Sequence, residues 1–364
     1  MGKYSGKTPE TGKAKRTTAR ADVRKRRMKT RVDIHDIAEK AGVSISTVSR
    51  VTNHAPNVDP EIAKRVWKAI EKMGYSPSRS AQALGSGRSR LVGLIVPEIN
   101  NPFFPELIQS FEDVTLEHGY EMMLGSTYSD AERAEMWVRR MLQYGVQGIA
   151  VMTFGEEPET VYEIARGIPV VTAFSGVDRG PHTCVVEDYA SGIQQAVRHL
   201  AELGHTRIGF AGAEQTVYTA RQRRQAFLDA MTAQGLDVPG DWVMESHDTL
   251  EGGAECAKNI LRLRERPTAM LCYNDLMAIG VMDALHDAGM KVPRDISIIG
   301  YDDITLAHFA SPRLTTVRFS RREIAEKAFN TLRWHFEGKD EDKAQPEVIG
   351  TELCVRESTA PPAF

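Results

Sequence analysis

DIHDIAEKAGVSISTVSRVTN, residues 33–53, decides how the rest of the chain is read, because it spells two short helices joined by a tight turn. Asp33 is a good N-cap, and Asp36 sets a second negative charge in the first turn, where the helix dipole favours it. Ile34, Ile37 and Ala38 fall on one helical face, and Gly42 ends the helix. Ser44 then caps a second helix that turns Ile45, Val48 and Val51 inward and leaves Ser46, Thr47, Arg50 and Asn53 on or near the other side. This is the pattern of a helix-turn-helix. The outward side of its second helix is nearly free of acid and carries short hydrogen-bonding side chains that permit close approach to base edges. It also carries one arginine able to fork onto guanine or a phosphate. A satellite helical hairpin on a larger domain has the same local pattern, so the flanking sequence has to decide.

Beyond Asn53, Asp59-Pro60 supplies an N-cap and an N1 proline for a third helix. Its apolar stripe is Ile62, Ala63, Val66, Trp67, Ile70 and Met73, and Gly74 ends it. Trp67 shares that stripe with aliphatic residues, so it is expected in the core and not as a base-stacking platform. Residues 32–77 therefore form an all-α three-helix headpiece. Ser76-Pro77-Ser78 breaks the chain, SRSAQAL offers barely two helical turns, and GSGRSR follows as a flexible basic linker. Residues 78–90 thus hold a short helix, expected to be unfolded alone, and a linker, the stretch in which the resemblance given below implies a hinge.

On the other side, residues 1–31 hold twelve Lys or Arg against Glu10 and Asp22, a net of +10, while the whole chain of 364 residues carries −3. The remainder is therefore −13. An arm so basic and so poor in large apolar residues is expected to be disordered. Two readings of it stay open: a polyelectrolyte arm adding nonspecific phosphate contacts, or a solvated leader from a mis-assigned start.

From Leu91 the pattern changes to short apolar runs alternating with helical stretches: LVGLIV, EMMLGS, GIAVM, PVVTAF, RIGFAG, AMLCY and SIIGY. Continuous apolar strands mean burial on both faces, hence parallel sheets sandwiched by helices, and the length calls for two of them. The fold class is α/β: a helix-turn-helix headpiece plus a two-lobed core over residues 91–358. Lobe 1 is placed at about 91–180 and 318–340, and lobe 2 at about 181–317 and 341–358, with RLTTVRF crossing back to bring REIAEKAFNTLRWHFEG into the first lobe. In open α/β sheets ligands bind beyond the strand carboxyl ends, so the cleft between lobes is the expected site.

DIAEKAGVSISTVSRVTN followed by VDPEIAKRVWKAIEKMGYSPSRSAQALGSGRS resembles the DNA-binding headpiece of the lactose-repressor/galactose-repressor (LacI/GalR) family of bacterial transcription regulators. LVGLIVPEINNPFF, HLAELGHTRIGFAG, NDLMAIGVMDALHDAG and VPRDISIIGYDD resemble that family's effector-binding, periplasmic-binding-protein-like core in the same order. The resemblance spans roughly residues 32 to 358. It implies that Ser46, Thr47, Arg50 and Asn53 read operator DNA and that Leu84 wedges into the minor groove as two chains' hinge helices order together. The alternative for Leu84 is an anchor for the linker on the core.

The resemblance further implies that Arg223, Asn274 and Asp302 hold a small-molecule effector, with Phe103 and Phe104 as an apolar or stacking wall. A bidentate donor, an amide and a carboxylate suit neighbouring hydroxyls, so a carbohydrate or related metabolite is the expected class. Asp275 and Asp303 are expected to cap helices. Phe174 departs from the family, many of whose members have a polar residue there. It stacks on a sugar ring or purine, or shrinks the pocket; the sequence leaves both open.

The expected protein is a dimeric, cytoplasmic repressor with partners in double-stranded operator DNA, an effector and a second copy. No cofactor or metal is expected, since Cys184, Cys256, Cys272 and Cys354 are widely spaced and fit no CxxC or zinc pattern. No apolar run reaches membrane-spanning length and the start has no hydrophobic signal core. A periplasmic-type sugar receptor would share the two-lobed fold but needs an export signal where this chain has a basic arm and headpiece. An enzyme is disfavoured because GxSxG, GxxxxGK[ST], HExxH and a GxGxxG after a strand are all missing.

Overall fold

The computed structural model describes residues 32–53, 55, 57–76, 89–154, 157–174, 184–215, 218–338 and 347–363. The basic arm and residues 78–88 of the hinge segment, Leu84 among them, lie outside them. The chain divides into two compact units, residues 1–89 and 90–364.

In the first unit, α1 (Ile34–Ala41) starts on a capping box in which Asp33 accepts from the Asp36 amide while the Asp36 carboxylate accepts from the Asp33 amide. Gly42 closes it at φ 65°, a left-handed conformation that glycine adopts without penalty. α2 (Ile45–Thr52) is capped by Ser44, and α3 (Pro60–Met73) by Asp59 with Pro60 leading. Ile37, Val48 and Val66 are fully buried at the centre of the three-helix core. Two apolar residues assigned inward by periodicity are not there. Ile45 is 41% exposed, because at the first helical position no preceding turn covers it. Trp67, expected in the core, is 40% exposed, since it lies about 100° round the helix from Val66.

The second unit contains two six-stranded sheets. The elements are β1 (Leu91–Val96), α4 (Phe103–Glu117), β2 (Glu121–Ser126), α5 (Ala131–Gln143), β3 (Ile149–Met152), α6 (Glu157–Ile164), β4 (Val170–Ala173), β5 (Cys184–Glu187) and α7 (Tyr189–Glu202). They continue with β6 (Ile208–Ala213), α8 (Tyr218–Ala233), β7 (Val243–Ser246), α9 (Leu250–Arg262), β8 (Ala269–Cys272), α10 (Asp275–Asp287), β9 (Ser297–Tyr301), α11 (Thr305–Phe309), β10 (Thr315–Phe319), α12 (Arg321–Phe336), β11 (Glu347–Ile349) and β12 (Thr351–Cys354). The first sheet runs β11-β5-β4-β3-β1-β2, all pairs parallel; the second runs β12-β10-β9-β8-β6-β7, with only β10–β12 antiparallel. Strands such as β3, β4, β6, β8 and β9 are buried at every residue, as strands covered on both faces must be.

Helix α12 packs on α4 and on strands of the first sheet, so the chain crosses back after Phe319. Two assignments made from sequence are corrected. Residues 184–187 and 347–349, placed with the second lobe, pair with each other in the first sheet. The chain therefore crosses between sheets after Glu187, after Phe319 and at Gly350, where β11 ends in one sheet and β12 begins in the other. Strands of three or four residues carry too little pattern to reveal their sheet, and β5, β7, β11 and β12 were not anticipated at all. No described helix is long and apolar enough to cross a membrane.

Candidate functional site

On the headpiece, the capping serine organises the start of α2. Ser44 Oγ lies 2.7 Å from Ser46 Oγ and 2.8 Å from Thr47 Oγ1, and it accepts from the Thr47 amide at 3.1 Å. Ser46 and Arg50 are exposed, whereas Thr47 and Asn53 are half-buried. Arg50 Nη2 reaches the Asn57 carbonyl at 3.3 Å, and Asn53 Nδ2 reaches Ser49 Oγ at 3.4 Å. The surface therefore presents hydroxyls and one guanidinium on a helix whose first turn has no acid. That combination suits base edges and phosphates.

The second candidate site is built where the carboxyl ends of both sheets meet. Arg223, on α8, is 3% exposed. Its Nη1 donates to the Tyr273 carbonyl at 2.7 Å and its Nη2 to Asp302 Oδ1 at 3.1 Å. Its guanidinium lies 3.8 Å from the ring centre of Tyr301, 4.8 Å from Tyr273 and 5.4 Å from Tyr189, so it is boxed by three aromatic faces. Glu187, the last residue of β5, comes from the first sheet: its Oε1 accepts from the Tyr301 hydroxyl and its Oε2 lies 3.7 Å from Arg223 Nη2. One guanidinium thus stands between two buried carboxylates from different lobes. Burial raises the Glu187 carboxyl to about 7, against the pull of Arg223 and the Tyr301 hydrogen bond. Burial likewise raises Asp302 to about 6 against Arg223 and Arg321.

A second clasp joins the lobes. Glu106, on α4, accepts from the Thr305 amide at 2.9 Å and its hydroxyl at 2.8 Å, and pairs with Arg321 at 3.2 Å. Arg321 also donates to the Asp302 carbonyl at 2.7 Å and lies over the Phe103 ring at 5.2 Å.

Phe103, Phe104 and Phe174 are all buried and gather into one aromatic group with Phe154 and Phe319. Phe174 has φ 65° and Asp302 φ 104°, costly conformations for residues with a Cβ, and both sit at strand ends facing this region. Asn274 spends its side chain on protein: Oδ1 caps α10 through the Met277 amide at 2.8 Å and Nδ2 donates to the Asp248 carbonyl at 2.9 Å. The two acids expected to cap helices do otherwise. Asp275 is fully buried and accepts from Thr316 Oγ1 at 2.6 Å and the Ile304 amide at 2.8 Å, while Asp303 pairs with Arg356 at 2.6 Å. Asn274 takes the capping role because it precedes the first helical residue, with its backbone extended.

Arg223 and Asp302 are thus brought together, with Asn274 near the same strand ends. Glu187, Tyr189, Tyr273 and Tyr301 complete the cluster and were missed. Only Glu187 carried a signal, an acid ending the apolar run CVVE immediately before the N-cap Asp188. Among the described residues no group of acids, histidines and cysteines is arranged to hold a metal, and Cys256, Cys272 and Cys354 are free thiols.

Comparison with known proteins divides along the same line. Residues 33–78 match the family model of bacterial regulatory proteins, lacI family, and residues 197–359 match that of a periplasmic binding protein-like domain. The HTH-type transcriptional repressor PurR of Pasteurella multocida (strain Pm70) is 36% identical over 328 residues, covering 89% of this chain and 98% of that protein. The Lac repressor dimer bound to operator and the anti-inducer ONPF superposes with a TM-score of 0.82 at 26% identity, over 91% of this chain and all of that one. The cellobiose complex of the transcriptional regulator CelR superposes at 0.68 with 27% identity, over 90% of this chain and all of that one.

Proposed function

This chain belongs to the lacI family of bacterial regulatory proteins and is a DNA-binding transcriptional repressor of the LacI/PurR type, and from that premise we propose that a small molecule held by Arg223 and Asp302 sets its affinity for an operator. The observation that carries the reading is the ion pair itself. A buried arginine and carboxylate at strand ends, faced by Glu187 of the other lobe, tie any ligand that touches them to the angle between lobes. Asn274 and the aromatic group of Phe103, Phe104 and Phe174 complete the cleft. Hydrogen-bonding groups beside aromatic faces suit a carbohydrate, whose hydroxyls and ring faces need both. The protein works as a homodimer in the cytoplasm, a reading supported by Leu306 and Phe309, 46% and 80% exposed on α11, as surface that a second copy would cover. Residues 1–31 serve as a basic arm, 32–77 as the headpiece, 78–90 as the hinge in which Leu84 wedges the minor groove, and 91–358 as the effector-binding core. Nothing in this scheme asks for catalysis or a cofactor.

For DNA reading, Arg50→Ala weakens specific operator binding by about 1–3 kcal/mol and relaxes sequence preference, because a bidentate base contact is removed. Titration of labelled operator and scrambled duplexes at several salt concentrations measures both. Unchanged sequence preference in the variant would remove Arg50 from base readout.

For ligand control, melting the full chain with hexoses, pentoses and purine bases identifies a stabilising ligand, since one that binds only the folded state raises the melting temperature. Asp302→Asn abolishes that shift by weakening charge-assisted hydrogen bonds worth about 1.5–3 kcal/mol each. Operator affinity without ligand stays near wild type, because the partners of Asp302 are Arg223 and Arg321 in the core. A variant that still responds to the ligand would place the effector elsewhere. A purine base shifting the melt in place of every sugar would keep the site and change the class.

A further inference from the structure

The loop that carries Asp302 is held by lobe 1 as well as by its own lobe. Asp302 and Asp303 are consecutive residues with φ 104° and 50°, a left-handed backbone that persists only where neighbours fix it. Within lobe 2 the Asp302 amide donates to the Val317 carbonyl at 2.9 Å and Asp303 pairs with Arg356 at 2.6 Å. From lobe 1, Arg321 donates to the Asp302 carbonyl at 2.7 Å. Glu106 Oε1 accepts from the Thr305 amide at 2.9 Å and from its hydroxyl at 2.8 Å, while Glu106 Oε2 pairs with Arg321 at 3.2 Å.

Glu106 stands in the first turn of α4, a helix of 15 residues and hence about 22 Å long. Arg90 lies at its other end: a Cβ on Gly119 would be 3.6 Å from Arg90 Nη1, and the Glu121 amide donates to the Arg90 carbonyl at 2.9 Å. Arg90 is the first residue of the core after the headpiece and linker, and it too is left-handed, at φ 50°. Arg322, beside Arg321 on α12, donates to both carboxylate oxygens of Glu117 at the end of α4, at 3.0 and 2.6 Å. One helix therefore meets the Asp302 loop at its start and the chain arriving from the DNA-binding unit at its end.

We propose that Glu106 is the coupling residue, tying the Asp302 loop to α4 so that α4 carries the state of the cleft to Arg90 and thereby sets operator affinity. This rests on the reading that a ligand at Asp302 controls the repressor. Fold stability does not account for the clasp, because the Glu106 and Arg321 side chains are 30% and 14% exposed and ion pairs open to water add little. What the clasp fixes is the place of a lobe 1 helix against a lobe 2 loop. A ligand that shifts the loop alters these bonds, and by linkage the operator must act back on the loop to the same factor.

The test uses no effector. A duplex selected from a random-sequence pool by the wild-type full chain is titrated, at one salt concentration, with the wild type, Glu106→Ala, Thr305→Val and the double variant. Glu106→Ala shifts affinity for that duplex about tenfold, and Thr305→Val, which removes one of the bonds to Glu106, shifts it about threefold in the same direction. The double variant goes no further than Glu106→Ala, as two ends of one contact require. Melting temperatures stay within about 3 °C of wild type. Binding to a scrambled duplex is unchanged, since headpiece and arm keep their charges, and so is the effect of Glu135→Gln, which breaks an exposed ion pair inside lobe 1 and leaves the selected duplex bound as before. The inference is overturned if Glu106→Ala binds the selected duplex like wild type, if the two substitutions add, or if the scrambled duplex shifts as much as the selected one. Should Glu106→Ala fail to fold, Thr305→Val decides alone, and wild-type affinity there overturns the inference. Failure of the cleft reading shows separately, as a ligand-induced thermal shift retained by Asp302→Asn.

Discussion

Arg223→Met lowers the unfolding free energy of the two-lobed unit by about 3–5 kcal/mol at about pH 8, and by far less at about pH 5. The reason is the charge left behind. Without the guanidinium, Glu187 and Asp302 remain buried with no cation between them, and breaking a buried pair from one side is far more damaging than exchanging both partners. The pH dependence follows from the carboxyls. Both are raised in the folded protein, to about 7 and about 6, so the stability they allow is fully present below their unfolded values and is lost as pH rises through the folded ones. Removing Arg223 removes the largest influence holding those folded values down, so the variant continues to lose stability with rising pH after the wild type has levelled off. Near pH 5 both carboxyls are mostly protonated in either protein, and only the stacking on Tyr301 and the bond to the Tyr273 carbonyl are missing. Urea unfolding followed by circular dichroism at three pH values measures the difference. An equal loss at low and high pH would mean that packing around Arg223, and not its charge, holds the cluster.

Gly280→Ala should cost about 3 kcal/mol or more, against the usual gain of up to about 1 kcal/mol when alanine replaces glycine in a helix. Helices α9 and α10 touch backbone to backbone: a Cβ on Gly280 would lie 1.9 Å from the Leu250 carbonyl oxygen, and one on Gly253 would lie 2.1 Å from that of Met277. Neither neighbour is a side-chain end that can turn away, so the helices must separate. Separation acts on the cleft directly, because Asn274 caps α10 and is tied to the Asp248 carbonyl on the loop before α9. Gly240→Ala is the control, since nothing lies within 4 Å of a Cβ there and its change should stay within about 0.5 kcal/mol. Urea midpoints compare the two, and a Gly280 variant as stable as the Gly240 variant would show that the crossing can open at no cost.

The headpiece was legible because its signals are local. Asp33, Gly42, Ser44, Asp59, Pro60 and Gly74 each act on backbone within four residues, and each marks the boundary it announced. Ile45 and Trp67 failed because periodicity gives a direction round a helix but not whether another element covers that direction. In the core, strands rich in buried aliphatics were found, whereas β7 and β12, with glutamates at exposed positions, look like loop. Arg223 and Asp302 entered by resemblance to a family, not by any pattern of their own. Glu187 and Tyr301 are 114 residues apart, and their contact depends on two sheets facing each other across three crossings. No short window contains that. Asp275 was misassigned for a related reason: a carboxylate at a helix start is usually a cap, and only the tertiary arrival of Thr316 and Ile304 makes this one a buried acceptor.

The placing of β11 and β12 bears on how the molecule is made. Each is the outer strand of its sheet, and only Gly350 separates them. While the chain is still emerging from the ribosome, β5 and β10 each have an open edge, and neither sheet can be finished until residues 347–354 have been synthesised. Both lobes are therefore completed together, once residues 347–354 are free to pair. During translation these two edges are where newborn chains would pair wrongly with one another. A truncation that removes the last eighteen residues takes away only seven residues of strand, yet it leaves both sheets open at once.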